Sequence, residues 1–566
     1  MNPTVSSENG HQTDEPSRCS FGEGCKDRAE AVRPQSLKRD QRVGGVDGSG
    51  GSGRVVGVSC ETCDGGEPQG TPLASVKPAL TGQAGRAGAG VRDLRSSVDL
   101  RDSITRGERR EGTRSNASQR SEGPAEDDGR RDDLWIRTSP KVRKLQRALY
   151  RKAKVEPQWR FYSLYGELCR QDLLADALDQ VIANHGAPGV DGFRVEVLVD
   201  DERRAKWLAA LSEELRTKAY KPSPVRRVYI WKDLAKTKRR PLGIPVVKDR
   251  VVQTAATILL QPIWEADFHD NSYAYRPRRN THQAMDKIKE ALLSGRTEVV
   301  DSDLSSYFDT IPHGALMRCV ARRISDGAVL RLIKAWLRAP VVEEDREAGR
   351  RRIMPNLRGT PQGGVISPVL SNLYLNGLDH AVNNRCELKP VMVRYADDLV
   401  IMARPGQGTG LRERLQRWTQ ARGLKLNMEK TRLVNSWQET FCFLGFAVSW
   451  RRSQRGKKYP HVEPSAKSRK KLREKVRTVL NIHTRNQPTE EVVDTLNSVV
   501  RGWSRAFYYA NSTEVFGREQ RYICNTMRRW LSRKHKRQRG WTTYTDEELH
   551  DRYGLWQMPT AAAWKS

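Results

Sequence analysis

Residues 391–404, VMVRYADDLVIMAR, place two adjacent aspartates, Asp397 and Asp398, inside an otherwise apolar run. The apolar residues on both sides predict two short strands joined by a tight turn, with the carboxylates at its tip. Neighbouring carboxylates resist joint ionisation unless positive charge is close, and Mg²⁺ takes few carboxylates and completes its shell with phosphates. A metal site and an exposed acidic hairpin tip are therefore the two alternatives, and other segments decide between them.

The composition favours a polyanionic partner. Lys and Arg number 100 against 68 Asp and Glu, which gives a formal charge of +32 and a pI near 10.0. This charge suits nucleic acid or an anionic membrane surface. No apolar run of 18 residues exists, so we expect no membrane-spanning segment. The N-terminus lacks an apolar signal core, and nine scattered cysteines form no disulfide pattern, which favours the cytoplasm.

Composition also divides the 566 residues into regions. Residues 1–130 hold 21 of the 44 glycines and a single aromatic residue, Phe21, so we expect this extension to be disordered. Its CETC sequence, 60–63, has the spacing of a zinc knuckle, but the absence of a surrounding core favours loose thiols. The later regions are a helical extension at 131–200, a mixed α+β region at 201–455, a basic helical region at 464–540 and a tail at 541–566, which could contact DNA.

A second acidic segment decides whether Asp397 and Asp398 form a metal site or an exposed hairpin tip. Residues 298–313, EVVDSDLSSYFDTIPH, predict a strand that turns into a helix and carries Asp301, Asp303 and Asp309. Nucleotidyl transfer by two metal ions needs carboxylates from two strands that meet. One ion activates the primer hydroxyl, and the other holds the triphosphate and the leaving pyrophosphate. A strand with one aspartate beside a hairpin with two supplies such a site.

The motifs resemble those of reverse transcriptases, and most closely those of group II intron reverse transcriptase/maturases without an endonuclease. The shared blocks are ANHGAPGVDG, RPLGIPVVKDRVVQTA, YAYRPRRNTHQA, DLSSYFD, GTPQGGVISPVLSNLYLNGLD, YADD, GLKLNMEKT, FCFLGF and VVRGWSRAFYY. The resemblance runs in order from about residue 140 to 540. It implies an α+β right-hand polymerase, with fingers and palm around an antiparallel sheet at 201–455 and a helical thumb, or maturase domain X, at 464–540.

The resemblance also implies roles for individual residues. Asp303, Asp397 and Asp398 would bind two Mg²⁺ ions, for which Mn²⁺ could substitute. Lys430 would be the general acid of catalysis. The nucleotide-binding candidates are Phe308 as the gate against a ribose hydroxyl, Gln362 near the incoming base, Arg240 and Arg276 on the triphosphate, and Tyr395 of the signature tetrapeptide. Asp301 and Asp309 are expected to be a solvated carboxylate and a helix-start residue.

The basic helical region suggests a second binding function. Thr489 is predicted to cap a helix whose apolar stripe includes Trp503 as a packing anchor. The segment RRWLSRKHKRQR, 528–539, has seven Lys or Arg and no acid, and such like charges repel unless phosphates come close. The predicted RNA-binding residues are Arg528, Arg529, Arg533, Lys534, Lys536 and Arg537.

The family resemblance implies RNA-templated DNA synthesis from a primer with dNTPs. It also implies binding of group II intron RNA, help with its splicing, and mobility by target-primed reverse transcription at a DNA target. A CRISPR-associated or other host-defence reverse transcriptase is one alternative. An RNA-binding splicing factor with a vestigial polymerase is another, which the intact aspartates oppose. The sequence leaves the oligomeric state open, a homodimer included.

Overall fold

The computed structural model describes residues 138–231, 236–237, 239–345, 350–537 and 543–561. The predicted disordered extension, 1–130, lies outside these residues. The helices are α1 (Pro140–Val155), α2 (Tyr165–Leu168), α3 (Gln171–Ala183), α4 (Asp201–Arg216), α5 (Val247–Glu265), α6 (Thr281–Leu293), α7 (Tyr307–Thr310), α8 (His313–Ala321), α9 (Gly327–Arg338), α10 (Ser367–Asn383), α11 (Gly408–Ala421), α12 (Ala466–Val479), α13 (Thr489–Phe507) and α14 (Thr513–Lys534).

Three sheets lie between these helices. The strands are β1 (Val225–Trp231), β2 (Arg239–Ile244), β3 (Glu298–Ser302), β4 (Val341–Asp345), β5 (Arg350–Met354), β6 (Val391–Tyr395), β7 (Asp398–Ala403), β8 (Arg432–Asn435), β9 (Phe441–Phe443), β10 (Phe446–Arg452) and β11 (Lys458–Pro464). The sheet orders are β2-β1-β4-β5, β6-β7-β3-β8 and β11-β10-β9. β1 and β4 pair in parallel, and the other pairs are antiparallel.

The sheet β6-β7-β3-β8 is buried on both faces, which explains its nearly continuous apolar sequences. Successive side chains of a strand point to opposite faces. In β7, Leu399 and Ile401 therefore join one core, which includes helices α5 and α10, while Val400 and Met402 join another, which includes α6 and β9–β11. Polar residues at the ends of such strands have to face a gap between elements, and that is where the aspartates lie.

Several helix ends differ from the predictions. The apolar periodicity of DLLADALDQVIANHGAPGVDG predicts a helix that ends at Gly186 or Gly189. The periodic face of α3 is buried as predicted, but the helix ends at Ala183, with Asn184 at the C-cap. α13 begins at Thr489 with Pro488 in the N-cap position, so no side chain caps it. The basic helix α14 ends at Lys534 rather than near 540.

The C-terminal helices form their own core. Buried residues of α12, α13 and α14 pack with side chains from the tail, among them Leu549 and Leu555. Trp503 packs against the rings of Phe507 and Phe516, at centroid distances of 5.0 and 5.5 Å, as predicted for a packing anchor. Within the described residues, no helix has the length and apolarity needed to cross a membrane.

Candidate active site

The hairpin of β6 and β7 places Asp397 and Asp398 at its tip. Tyr395 pairs with Asp398 across the hairpin, so Ala396 and Asp397 form the two-residue turn. Ala396 has a φ of 61°, which is unfavourable for a residue with a Cβ and resembles the first central position of a type II′ turn. Strained backbone of this kind persists only where the surroundings hold it.

A buried ion pair beneath the turn supplies this support. The Arg394 guanidinium is fully buried and donates hydrogen bonds to both carboxylate oxygens of Asp379, at 2.8 and 2.6 Å. The same guanidinium donates to the carbonyl oxygen of Ala396 at 3.0 Å and to the hydroxyl of Ser272 at 2.7 Å. Arg394 therefore ties the strained turn to helix α10.

Asp303 meets this hairpin from the neighbouring strand. Ser302, the last residue of β3, pairs with Leu399 of β7, so Asp303 leaves the sheet beside the aspartate turn. Asp303 and Asp397 line one cleft of about 800 Å³. Asp398 borders a second groove, of about 1180 Å³, that runs against α12 and α13. The three carboxylates thus lie where the two spaces approach one another.

Cationic and amide groups already contact Asp303. The Lys430 ammonium donates a hydrogen bond to Oδ2 of Asp303 at 2.8 Å, and the Asn427 side-chain amide donates to the same oxygen at 3.3 Å. The Asn427 backbone N–H also binds the Asp303 carbonyl, at 2.8 Å. The hydrogen bond to Asp303 raises the pKa of Lys430, which therefore carries a proton at neutral pH.

Electrostatics distinguish the turn aspartates from ordinary surface carboxylates. Burial raises the pKa of Asp397, and the charge of Asp303 raises it further. Asp398 is open to solvent on one side, yet burial by the surrounding protein and then the charges of Asp397 and Asp303 raise its pKa to about 6. The site therefore holds more negative charge than its own cations neutralise, which favours binding of an added cation.

The other two acids of the β3 segment have partners of their own. Asp301 forms an ion pair with Arg432 on β8, with an N–O distance of 3.3 Å, so it is not simply solvated. Asp309 lies in the first turn of α7 and is exposed, in agreement with its expected place at a helix start. Asp309 borders the same cleft as Asp303 and Asp397, where the Gln362 side-chain amide donates to its Oδ2 at 3.5 Å.

The cleft also contains several predicted nucleotide-binding residues. Phe308 and Gln362 line it with Arg240, beside Asp303 and Asp397. The Gln362 loop is held against β2, because the Gly243 N–H donates to the Gln362 carbonyl at 2.5 Å. Gly363 has a φ of 112°, and a Cβ there would collide with the carbonyl oxygen of Gly243. This close approach requires glycine and fixes the position of Gln362.

Arg276 is not available to bind a triphosphate. Its side chain is 2% exposed and forms an ion pair with Glu265 at 2.6 Å. It also donates to the carbonyls of His269 and Ser272, each at 2.6 Å. The prediction for Arg276 is therefore wrong: its guanidinium stabilises the core. Tyr395 is half-buried, packs against the second core and does not line the cleft.

The six predicted RNA-binding residues fall into two groups. Arg528 is buried and donates to the Tyr544 carbonyl and to Asp546, and Lys534 donates to the carbonyls of Arg485 and Gln487. These two side chains hold the C-terminal region together, which corrects their predicted role. The side chains exposed to solvent are Arg529, Arg533, Lys536 and Arg537.

Sequence reasoning did not assign three residues that shape the site. Arg394 is a single charge in an apolar strand, and that pattern signals a buried ionic partner. Asn427 gave no such signal, because asparagine is common in loops. Tyr275 lines the cleft with a φ of 58°, an uncommon conformation for an aromatic residue.

Comparison with known proteins gives two consecutive family matches. The reverse transcriptase (RNA-dependent DNA polymerase) model matches residues 225–448, which contain the cleft and all three aspartates. The group II intron, maturase-specific domain model matches residues 469–546, which contain α13 and α14. The two matches together cover more than half of the chain.

Individual relatives agree with these matches. Protein YkfC of Escherichia coli strain K12 is 36% identical over 354 residues, which are 56% of this chain and 90% of that protein. The group II intron-encoded protein LtrA of Lactococcus lactis subsp. cremoris is 35% identical over 229 residues, 39% of this chain and 35% of LtrA. A telomerase structure from Candida albicans shares 13% identity at a TM-score of 0.34, over 58% of this chain and 62% of that one. So distant a likeness supports no argument.

Proposed function

Because the chain belongs to the family of group II intron reverse transcriptases and maturases, we propose that it is an RNA-directed DNA polymerase that also assists intron splicing and mobility. The observation that carries the catalytic part is the meeting of Asp303 with Asp397 and Asp398 at the edge of two open spaces. A vestigial polymerase would have no reason to keep this costly concentration of negative charge.

The carboxylates suit Mg²⁺, although no cluster of three or more acidic, His or Cys side chains in the described residues would hold a metal by itself. Mg²⁺ is commonly bound by one or two carboxylates and completes its octahedral shell with water and substrate phosphates. Asp303 already binds a cation, the Lys430 ammonium, and the raised pKa values of Asp397 and Asp398 reflect uncompensated charge. Two bound ions would activate the primer hydroxyl and neutralise the departing pyrophosphate.

The residues around the aspartates would position the nucleotide. Phe308 would lie under the sugar and exclude a 2′-hydroxyl, and Arg240 would hold the triphosphate through its guanidinium. Lys430, protonated at neutral pH, would donate a proton to the leaving pyrophosphate. The roles of these residues rest on their place in one cleft with Asp303 and Asp397.

The second groove would hold the primer and template. It leads from Asp398 along Lys467, Lys471 and Lys475 of α12 to the face of α13. Three lysines at a spacing of four residues form one basic stripe on a helix, which is suited to a phosphate backbone. This arrangement would bring a primer end to the aspartates while the dNTP enters through the cleft.

Primer extension on an RNA template tests the catalytic assignment. Asp303→Asn should reduce extension at least a thousandfold, because it removes a metal ligand. Asp301→Asn makes the same chemical change two residues earlier, where the carboxylate pairs with Arg432. Extension by this variant should stay within a few-fold of the wild-type rate. Equal losses in the two variants, or normal extension by Asp303→Asn, would contradict the assignment.

The splicing role is proposed from the maturase-specific match and from the exposed cations of α14 and the residues after it. We propose that Arg529, Arg533, Lys536 and Arg537 contact the phosphates of the intron RNA. Arg528 and Lys534 would support this surface indirectly, through their bonds to neighbouring backbone carbonyls.

A further inference from the structure

A stacked pair of tryptophans lies outside the site described above. The rings of Trp437 and Trp450 have centroids 4.0 Å apart and planes 19° apart. Trp437 follows β8 in a turn, and Trp450 belongs to β10. The Trp450 indole N–H donates to the Ser436 hydroxyl at 3.3 Å, and this bond fixes the orientation of the Trp450 ring.

Burial in a core does not account for Trp437. Trp450 packs against the second core, but Trp437 is not part of that core and is 45% exposed. The turn that carries Trp437 is held by a hydrogen bond, because the Trp437 backbone N–H donates to the Asn435 side-chain oxygen at 3.1 Å. A large indole is thus presented to solvent on one face while Trp450 supports the other.

One cation contacts this indole, and others lie on the neighbouring hairpin. The Lys458 ammonium lies 4.7 Å from the centroid of the Trp437 ring. The hairpin of β10 and β11 adds further exposed cations at its tip, namely Arg451, Arg452, Arg455 and Lys457. Of these, Arg451 pairs with Glu463 at 3.5 Å, whereas Arg452, Arg455 and Lys457 have no ion-pair partner among the described residues. We call Trp437, Trp450 and these five cations the Trp437 surface.

The Trp437 surface is remote from the catalytic aspartates. Asn435 pairs with Glu298, at the end of β3 opposite to Asp303. Glu298 and Asp303 are five residue steps apart, a distance of roughly 16 Å at about 3.3 Å per residue of strand. A nucleotide in contact with Trp437 therefore cannot be the one that reacts.

We propose that the Trp437 surface binds an unpaired segment of RNA, with a base stacked on Trp437 and the adjacent phosphates on the hairpin cations. An aromatic platform flanked by cations is the usual arrangement for single-stranded nucleic acid, and it tolerates any base. The Lys458 ammonium would move from the ring to a phosphate, where it keeps an electrostatic partner. The choice of RNA rather than DNA rests on the proposed function. The binding of a single strand by stacking and charge does not depend on that function.

Binding of a second oligonucleotide tests this proposal. Full-length protein carrying Asp397→Asn would first be saturated with a primer–template duplex whose primer lacks a 3′-hydroxyl, so that the cleft and groove are filled. A fluorescent RNA dodecamer without secondary structure is then titrated in. Trp437→Ala should weaken its binding about tenfold, within the usual range for losing one base–aromatic stack, and Trp437→Phe should retain most of the affinity.

Trp231→Ala is the matched control, because Trp231 is also exposed and lies under an arginine but belongs to a different sheet. That variant should bind the dodecamer normally. Replacing Arg452, Arg455 and Lys457 with glutamine should lower the slope of log affinity against log salt by up to about 2. In protein with all three aspartates intact, Trp437→Ala should leave primer extension on a short template unchanged. This result would separate the present proposal from the catalytic one.

Three outcomes would overturn the proposal. Unchanged dodecamer binding by Trp437→Ala would show that no base stacks there. Equal binding by Trp437→Leu and Trp437→Phe would show that the contact is only apolar. Tighter binding of a DNA dodecamer of the same sequence would show that the surface selects DNA instead.

Discussion

At the scale of single residues, the aspartates proposed to be catalytic are held in an environment that opposes their ionisation. Burial and mutual repulsion raise the pKa of Asp398 to about 6. An aspartate in an unfolded chain has a pKa near 3.9, so the folded protein binds this proton more tightly. The contribution of Asp398 to the free energy of unfolding should therefore fall as pH rises from about 4 to about 6, and its ionised carboxylate destabilises the metal-free protein above that range.

Asp398→Asn should accordingly raise the melting temperature of the metal-free protein at pH 7.5 by a few degrees and abolish primer extension. Thermal unfolding in EDTA at pH 7.5 and at pH 4 measures the first effect. The gain should vanish at pH 4, where the wild-type carboxyl is largely protonated. An equal gain at both pH values would mean that packing, not charge, is responsible.

The Arg394–Asp379 pair is the residue-scale support of the hairpin. Arg394→Met should lower the free energy of unfolding by about 3–5 kcal/mol, because it leaves the buried Asp379 carboxylate without a partner. Urea denaturation followed by circular dichroism measures the loss. The double variant Arg394→Met/Asp379→Asn should recover part of it, since the remaining amide carries no charge. A loss below about 1 kcal/mol in the single variant would contradict this interpretation.

At the scale of elements, the sequence of α14 and of the residues after it does not distinguish their two kinds of cation. Arg529, Arg533, Lys536 and Arg537 are exposed, while Arg528 and Lys534 bind carbonyl oxygens. Replacing the four exposed residues with glutamine should lower the slope of log intron-RNA affinity against log salt by up to about 3. Filter binding across a salt series measures this slope, with extension of a short primed template assayed in parallel.

Arg414 and Arg417 on α11 provide a control, because glutamine at these exposed positions outside the maturase-specific match should leave the slope unchanged. Arg528→Gln should instead lower the melting temperature, since its bonds to Asp546 and to the Tyr544 carbonyl would be lost. An unchanged slope in the fourfold variant would mean that this surface is merely solvated.

At the scale of the whole molecule, the predicted membership of the group II intron reverse transcriptase/maturase family is confirmed by two matched models in the expected order. The predicted regions beyond these matches rest on composition. Deleting residues 1–130 should leave primer extension within a few-fold, because a segment of this composition cannot form a core.

A longer deletion, of residues 1–180, is the control that shows whether the assay detects the loss of core residues. It removes Leu173 and Leu178, which lie in the main core, and should prevent folding. Expression, solubility and extension rates of the two truncated proteins supply the comparison. Aggregation of the shorter deletion would show that the extension contributes to the folded state.

The sequence by itself determined the fold class and the three metal-site candidates. Strand pairs, a turn at two aspartates and an apolar helix stripe depend on residues close together in the chain, and local patterns record such short-range preferences. The strands VMVRY and DLVIMA, on either side of the aspartate turn, lie where the pattern predicts them.

Only the tertiary structure decided which charged side chains are available to a ligand. Arg240 and Arg276 look alike in the sequence, yet one lines the cleft and the other is buried against Glu265. The same holds for Arg529 and Arg528 on α14. The physical reason is that burial depends on partners distant in the chain, and the cost of burying a charge is offset only where folding brings its counter-charge or a carbonyl oxygen within hydrogen-bond distance.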